Sequence, residues 1–193
     1  PGVDQDVLTV ASSDNLPYDA PEKAPRQSSQ MSSFTSYGPT PDLQLKPDIT
    51  APGGALLSSL NDNQYGKKSG TSMATPVVAG ATALLTEKWQ GKLRAVDRLQ
   101  VLKTILMNSA HPLQDKNHPD AIISPRAQGA GLVQIDRAIN QEVLLTGATG
   151  RGAVTLKDFQ TAHQSMQVVL DNRSDKDQTY RYQPDAVYTD GAS

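Results

Sequence analysis

The sequence predicts an α/β chain: part of a parallel-sheet domain, then the start of an antiparallel β domain. Three observations carry this. Val7-Leu8-Thr9-Val10-Ala11 is a short apolar run between polar residues, as expected of a strand buried in a parallel sheet. Two later stretches repeat apolar residues at helical spacing. After Gly147 the period changes to two.

In chain order, residues 12–33 are polar and carry Pro17, Pro21 and Pro25, which predicts a surface loop. Residues 39–72 are dense in Gly and Pro, with strand candidates at 48–51 and 55–60. Val77, Val78, Ala81, Leu84, Leu85 and Lys88 follow at spacings that put their apolar members on one helix face. Ala79, Gly80, Ala81 and Ala83 make that helix slim, so neighbouring elements are expected to approach it closely. A second helix is predicted over about 96–107, with Leu99, Leu102, Ile105 and Leu106 on one face. Asp97 lies near its start, where a negative charge suits the dipole. A short third helix falls around 135–139. Met166, Val168 and Leu170 alternate with Gln167 and Asp171, and Tyr180 alternates with Tyr182. The polar stretch 172–178 between these runs predicts a hairpin loop.

Composition narrows the function classes. At 193 residues the chain is long enough to bury a core. Its 18 basic against 20 acidic residues give a net charge of -2, which argues against a dedicated nucleic-acid binder. With 0 cysteines there is no disulfide scaffold, Cys-ligated metal or cysteine nucleophile. Every apolar run is far shorter than the roughly 20 residues a membrane-spanning helix needs.

The chemistry concentrates in Ser69-Gly70-Thr71-Ser72-Met73-Ala74-Thr75-Pro76. A Gly-containing turn leads into a long apolar helix, which puts Ser72 at the helix N-terminus, with Pro76 in the first turns. Backbone donors there, helped by the dipole, can stabilise an oxyanion. A serine needs such a setting and a base before it becomes a nucleophile. Taken alone, a Gly-x-Ser before a helix reads as an N-cap, where serine is favoured. The esterase elbow Gly-x-Ser-x-Gly is not met, because position 74 is Ala.

Gly70-Thr71-Ser72-Met73-Ala74-Thr75-Pro76, followed by Val77-Val78-Ala79-Gly80, resembles the nucleophile signature of subtilisin-like peptidases. Three further stretches agree in order: Val7 to Ala11; Phe34 to Pro39 with Lys46 to Gly53; and Gly129 to Val133 with Asp136 and Ala138. The resemblance covers about residues 5 to 140. The wording of residues 33–53 and the β tail look most like the cell-envelope subtilases of Gram-positive bacteria, of the lactocepin and C5a-peptidase type. It implies that residues 1–146 are the C-terminal portion of a catalytic domain and 147–193 the first strands of a fibronectin-type β-sandwich. It implies an exported or cell-wall location and a protein or peptide substrate.

By that resemblance Ser72 matches the nucleophile and its N–H an oxyanion donor. Gly70 and Thr71 form the nucleophile loop, where the Thr71 hydroxyl adds a contact. Met73 lines the pocket near the leaving group and is open to oxidation. A serine triad also needs a histidine base and an orienting acid. In subtilases these precede the serine, whereas His111, His118 and His163 all follow Ser72. They read as solvated loop residues. No Ala-Gly-Asn-type oxyanion loop precedes Val7. The chain therefore reads as the nucleophile-bearing part of a subtilase, with Asp, His and oxyanion Asn supplied by an upstream segment or a partner chain. A protease-associated insert has no room between Ala11 and Phe34. The alternative is a non-catalytic scaffold or adhesive module. No cofactor is required. Calcium is the ion that Asp171, Asp175 and Asp177 would suit, but their spacing is not that of an EF-hand and a polar hairpin tip is the favoured reading. Tyr65-Gly66 reads as packing and Lys67-Lys68 as a solvated charge pair.

Overall fold

The computed structural model describes residues 2–14, 30–158, 160–183 and 187–188. Most of the expected 12–33 loop, and with it the question of an insert there, lies outside the described residues. The elements run β1 (Val10–Ser13), β2 (Ile49–Pro52), β3 (Leu56–Ser59), β4 (Tyr65–Lys68), α1 (Thr71–Lys88), α2 (Ala95–Ser109), β5 (Ile122–Ile123), α3 (Pro125–Gln128), α4 (Ile135–Asn140), β6 (Val143–Gly147), β7 (Val168–Asn172) and β8 (Val187–Tyr188).

β1 and β2 pair in parallel, Val10 opposite Ile49. β1 starts later than the apolar run that announced it. The reason is local: the Thr9 N–H goes to the Asp48 carboxylate at 2.8 Å. On the far side of β2, Thr50 donates to Gly131 O at 2.8 Å and Val133 donates to Thr50 O at 2.9 Å. This adds residues 130–133 as a third parallel line of chain. Gly129, at φ 65, makes the turn into that line, and a Cβ there would stand 2.4 Å from the Asp48 carbonyl carbon. Only glycine fits so close to backbone in a left-handed conformation.

α1 covers this sheet. Ala74, Val78, Ala81 and Leu85 form its buried stripe, joined in the core by Ile49, Ile105 and Leu106. Leu85 and Ile49 are 0% exposed. The expected apolar face is narrower than predicted. Leu84 is 47% exposed and Leu99 of α2 is 50% exposed, since successive helix residues lie about 100° apart and the sheet covers one row. The expected close approach holds at Ala81, which is buried in the core, but not at Ala79, Gly80 and Ala83: these three are exposed, and a Cβ on Gly80 would meet nothing within 4 Å.

Asp48 sits at the foot of β2 between two buried lysines. Lys46 Nζ reaches Oδ2 and Lys103 Nζ of α2 reaches Oδ1, both at 2.8 Å. Lys46 also donates to Val7 O, and Lys103 to Gln5 O and Val7 O. One carboxylate thus ties the entering chain, β2 and α2 together.

β3 and β4 form an antiparallel hairpin, Leu56 opposite Lys68. β4 escaped the sequence reading because Tyr65-Gly66-Lys67-Lys68 is largely exposed on both faces, so no alternation shows. The tail also differs from expectation. β7 does not turn through 172–178 to meet a Tyr180–Tyr182 strand; residues 179–183 are not in a strand. Instead β7 pairs antiparallel with β6, Val143 opposite Asn172. β7 is exposed throughout, so its alternation did not mark a buried face.

Candidate active site

Helix α1 follows β4 in the chain and starts beside the end of β2. Gly70 is its N-cap residue, Thr71 the first helical residue and Ser72 the second. Ser72 is therefore not the cap, and no side chain caps this helix. The turn before it is fixed from three sides. Gly70 N–H donates to Gly53 O at 2.9 Å, Ala55 N–H donates to Ser69 Oγ at 2.9 Å, and Met73 N–H folds back to Gly70 O at 2.9 Å.

Gly53 is the seat of this turn. A Cβ there would lie 2.4 Å from Ser12 Oγ, 2.6 Å from Gly70 O and 3.0 Å from Ala74 Cβ. Behind it runs a hydroxyl chain: Ser12 Oγ and Ser32 Oγ are 2.9 Å apart, and Ser32 Oγ donates to Asp14 Oδ1 at 2.7 Å. Ser12 and Ser32 are fully buried. These supporting residues were missed in the sequence. Nothing in spacing marks two serines 20 positions apart as partners.

At the helix tip, Met73 and Ala74 both donate to Gly70 O. Among the described residues the Ser72 N–H has no acceptor, as expected for a first-turn donor. Pro76 stands further into the helix than the first turn. With no N–H of its own it removes the bond that would reach the Ser72 carbonyl four residues earlier. Pro76 thus costs the ladder one bond. No acid occupies the first turn of α1, so the positive end of its dipole is not neutralised there. Lys67 and Lys68 lie just before it on β4.

Ser72 is exposed, while Gly70, Thr71 and Met73 are half-buried. The Thr71 carbonyl accepts from Thr75 Oγ1 at 3.0 Å, and Thr71 closes one end of an open groove of about 440 Å³ that runs along Val10, Ala11 and Tyr37 to Pro39. The sequence-predicted residues Gly70, Thr71, Ser72 and Met73 are thus brought together on one helix tip. The histidines lie elsewhere. His111 joins the sheet edge by its backbone, donating to Leu132 O and accepting from Leu132 N. His118 packs on Asp115 in an exposed loop, Nδ1 3.2 Å from Oδ1. His163 is exposed in the tail. None hydrogen-bonds Ser72 among the described residues. Asp171 is engaged by Arg173 at 2.8 Å, and among the described residues no three His, Asp or Glu side chains gather as a metal site would need.

Comparison with known proteins agrees with this geometry. Residues 1–131 match the model of the subtilase family. The PII-type proteinase of Lactococcus lactis subsp. cremoris is 40% identical, over 83% of this chain and 9% of that protein. The C5a peptidase of Streptococcus pyogenes is 37% identical, over 83% of this chain and 14% of that protein. The chain thus spans 9 to 14% of the length of these relatives. Among solved structures, the patellamide maturation protease PatA is 26% identical with a TM-score of 0.54, over 72% of this chain and 44% of that one. The prenylagaramide maturation protease PagA is similar at 26% identity and a TM-score of 0.52, over the same shares.

Proposed function

The chain belongs to the subtilase family, and from that premise we propose that it carries the nucleophile part of a serine endopeptidase. The observation that carries the reading is Ser72 itself: exposed, at the tip of a rigidly seated helix, with its own N–H unclaimed. In the proposed reaction Ser72 Oγ attacks the scissile carbonyl and passes its proton to a histidine. The carbonyl oxygen becomes an oxyanion, held by the Ser72 N–H and the positive end of α1. The histidine returns the proton to the leaving amine, the C–N bond breaks, and water hydrolyses the acyl-serine. Thr71 adds its hydroxyl beside Ser72, and Met73 lines the pocket near the leaving group.

The histidine, its acid and the oxyanion Asn come from an upstream segment of the same protein or from a partner chain. Two features support this. The Thr9 carbonyl accepts from Asp48 and Ile49 and the Ser13 carbonyl from Gly53 and Gly54, so Val10 directs its N–H and C=O to the opposite edge, beside Ser12, which Ser32 and Thr35 engage there. That edge is where a further parallel strand would pair. Leu84 and Leu99 are apolar surface such a segment would cover. We place the C-terminal portion of the catalytic domain at residues 1–146 and the opening strands of a β-sandwich at 147–193. Protein or peptide substrates and an extracellular location, secreted or at the cell wall, complete the reading.

The test is peptide hydrolysis by the full-length protein. Ser72→Ala is expected to remove it while leaving the fold intact. Equal hydrolysis by the variant, or none by the parent, favours the non-catalytic scaffold instead.

A further inference from the structure

We propose that the cavity where the 149–157 segment meets the α/β unit is a binding site for a tetrahedral oxyanion such as phosphate or sulfate. It measures about 190 Å³ and is lined by Lys46, Lys103, Arg151, Lys157, Asp48 and Gln100 among others. At about 30 Å³ per water, it has room for such an ion with part of its hydration shell.

The charge balance of the lining argues for an anion. Four cationic residues and one acidic residue line the cavity: Lys46, Lys103 and Asp48 are buried, Arg151 is half-buried and Lys157 is exposed. Asp48 is already shared between Lys46 and Lys103, each 2.8 Å away, and all three are nearly buried. Burial pushes Lys103 below the usual lysine range, and Lys46 adds to that push while Asp48 opposes it. A buried excess of positive charge is unfavourable unless something compensates it. The nearest other acids are occupied. Asp6 accepts from Gln100 and Arg151 at 3.1 Å each. Asp42 is held by the side chains of Thr40 and Gln44, which lower its pKa ahead of the weaker pull of Lys157.

Donors remain to bind a ligand. Of the three Lys46 hydrogens two are used, on Val7 O and Asp48. Arg151 commits one hydrogen each from its two terminal nitrogens, to Gln5 O and Asp6, which leaves three of its five. Lys157 has a left-handed backbone, at φ 54, uncommon for a residue with a side chain, and it stands in the cavity wall. Spare donors of Lys46 and Arg151 in one cationic pocket favour a multiply charged oxyanion over a monocarboxylate. A bound oxyanion would bridge Lys46 of the α/β unit to Arg151 and Lys157 beyond β6, and so brace the junction between them.

The test is titration calorimetry on the full-length protein with sodium sulfate, phosphate and acetate, at ionic strength held constant with chloride. Saturable binding of sulfate and phosphate is expected, at least tenfold tighter than acetate. Arg151→Gln with Lys157→Gln is expected to weaken it tenfold or more. Because Arg151 also holds Asp6, Lys157→Gln alone serves as the second variant, expected to weaken binding at least threefold without moving the melting temperature in chloride. No saturable binding, acetate binding as tightly as sulfate, or unchanged affinity in the variants overturns the proposal.

Discussion

Gly70 donates its backbone N–H to the carbonyl of Gly53 at 2.9 Å. This bond joins the end of the parallel sheet to the first turn of α1, and Ser72 is held through it.

Gly53→Ala tests that seat. The new methyl would enter the space of Ser12 Oγ, Gly70 O and Ala74 Cβ. Two of these are fixed by backbone or by the helix, so the turn must move. Overpacking of this kind costs about 1–3 kcal/mol. Misplacing a nucleophile by an ångström costs rate as well, on the order of 100-fold. The expected outcome in the full-length protein is a modest fall in melting temperature with a large fall in kcat/KM.

Asp48 and its two lysines predict an asymmetry. Asp48→Asn leaves two buried ammonium groups facing a neutral amide, and about 3–5 kcal/mol of stability is expected to go. Lys103→Met leaves one lysine on one carboxylate and removes a charge that burial already disfavours, so it is expected to cost clearly less. Denaturant unfolding of the two variants compares them directly. An equal or larger loss in Lys103→Met contradicts this reading of the cluster.

Two adjacent leucines of α1 separate core from covered surface. Leu85 is fully buried, so Leu85→Ala is expected to cost about 2–5 kcal/mol. Leu84 is exposed in this chain, and an exposed site stays within about 0.5 kcal/mol. In the full-length protein Leu84→Ala is expected to exceed that band if the proposed upstream segment packs there. A loss within the band means that nothing covers it.

What the sequence made legible follows from where the physics is local. The buried stripe of α1 repeats at helical spacing, and the tip Gly70 to Met73 is one continuous stretch, so both could be read. The same reading widened the stripe to Leu84, because periodicity does not say how much of a helix a two-stranded sheet covers. β4 hid because exposed strands carry no alternation. The β6–β7 pairing hid because twenty residues separate the two strands, and the polar run 172–178 looked like the nearer turn. The Ser12–Ser32–Asp14 chain and the Lys46–Asp48–Lys103 cluster depend on tertiary approach between distant positions. Short polar side chains give no hint of their partners in sequence.

In the proposed reaction Ser72 forms the acyl-enzyme. The most direct measurement is labelling of the folded full-length protein with a fluorophosphonate, followed by mapping the modified residue by peptide mass spectrometry. A stoichiometric adduct on Ser72, absent in Ser72→Ala, is expected. An adduct on a different serine, or none on Ser72 in a protein that melts cooperatively, contradicts it.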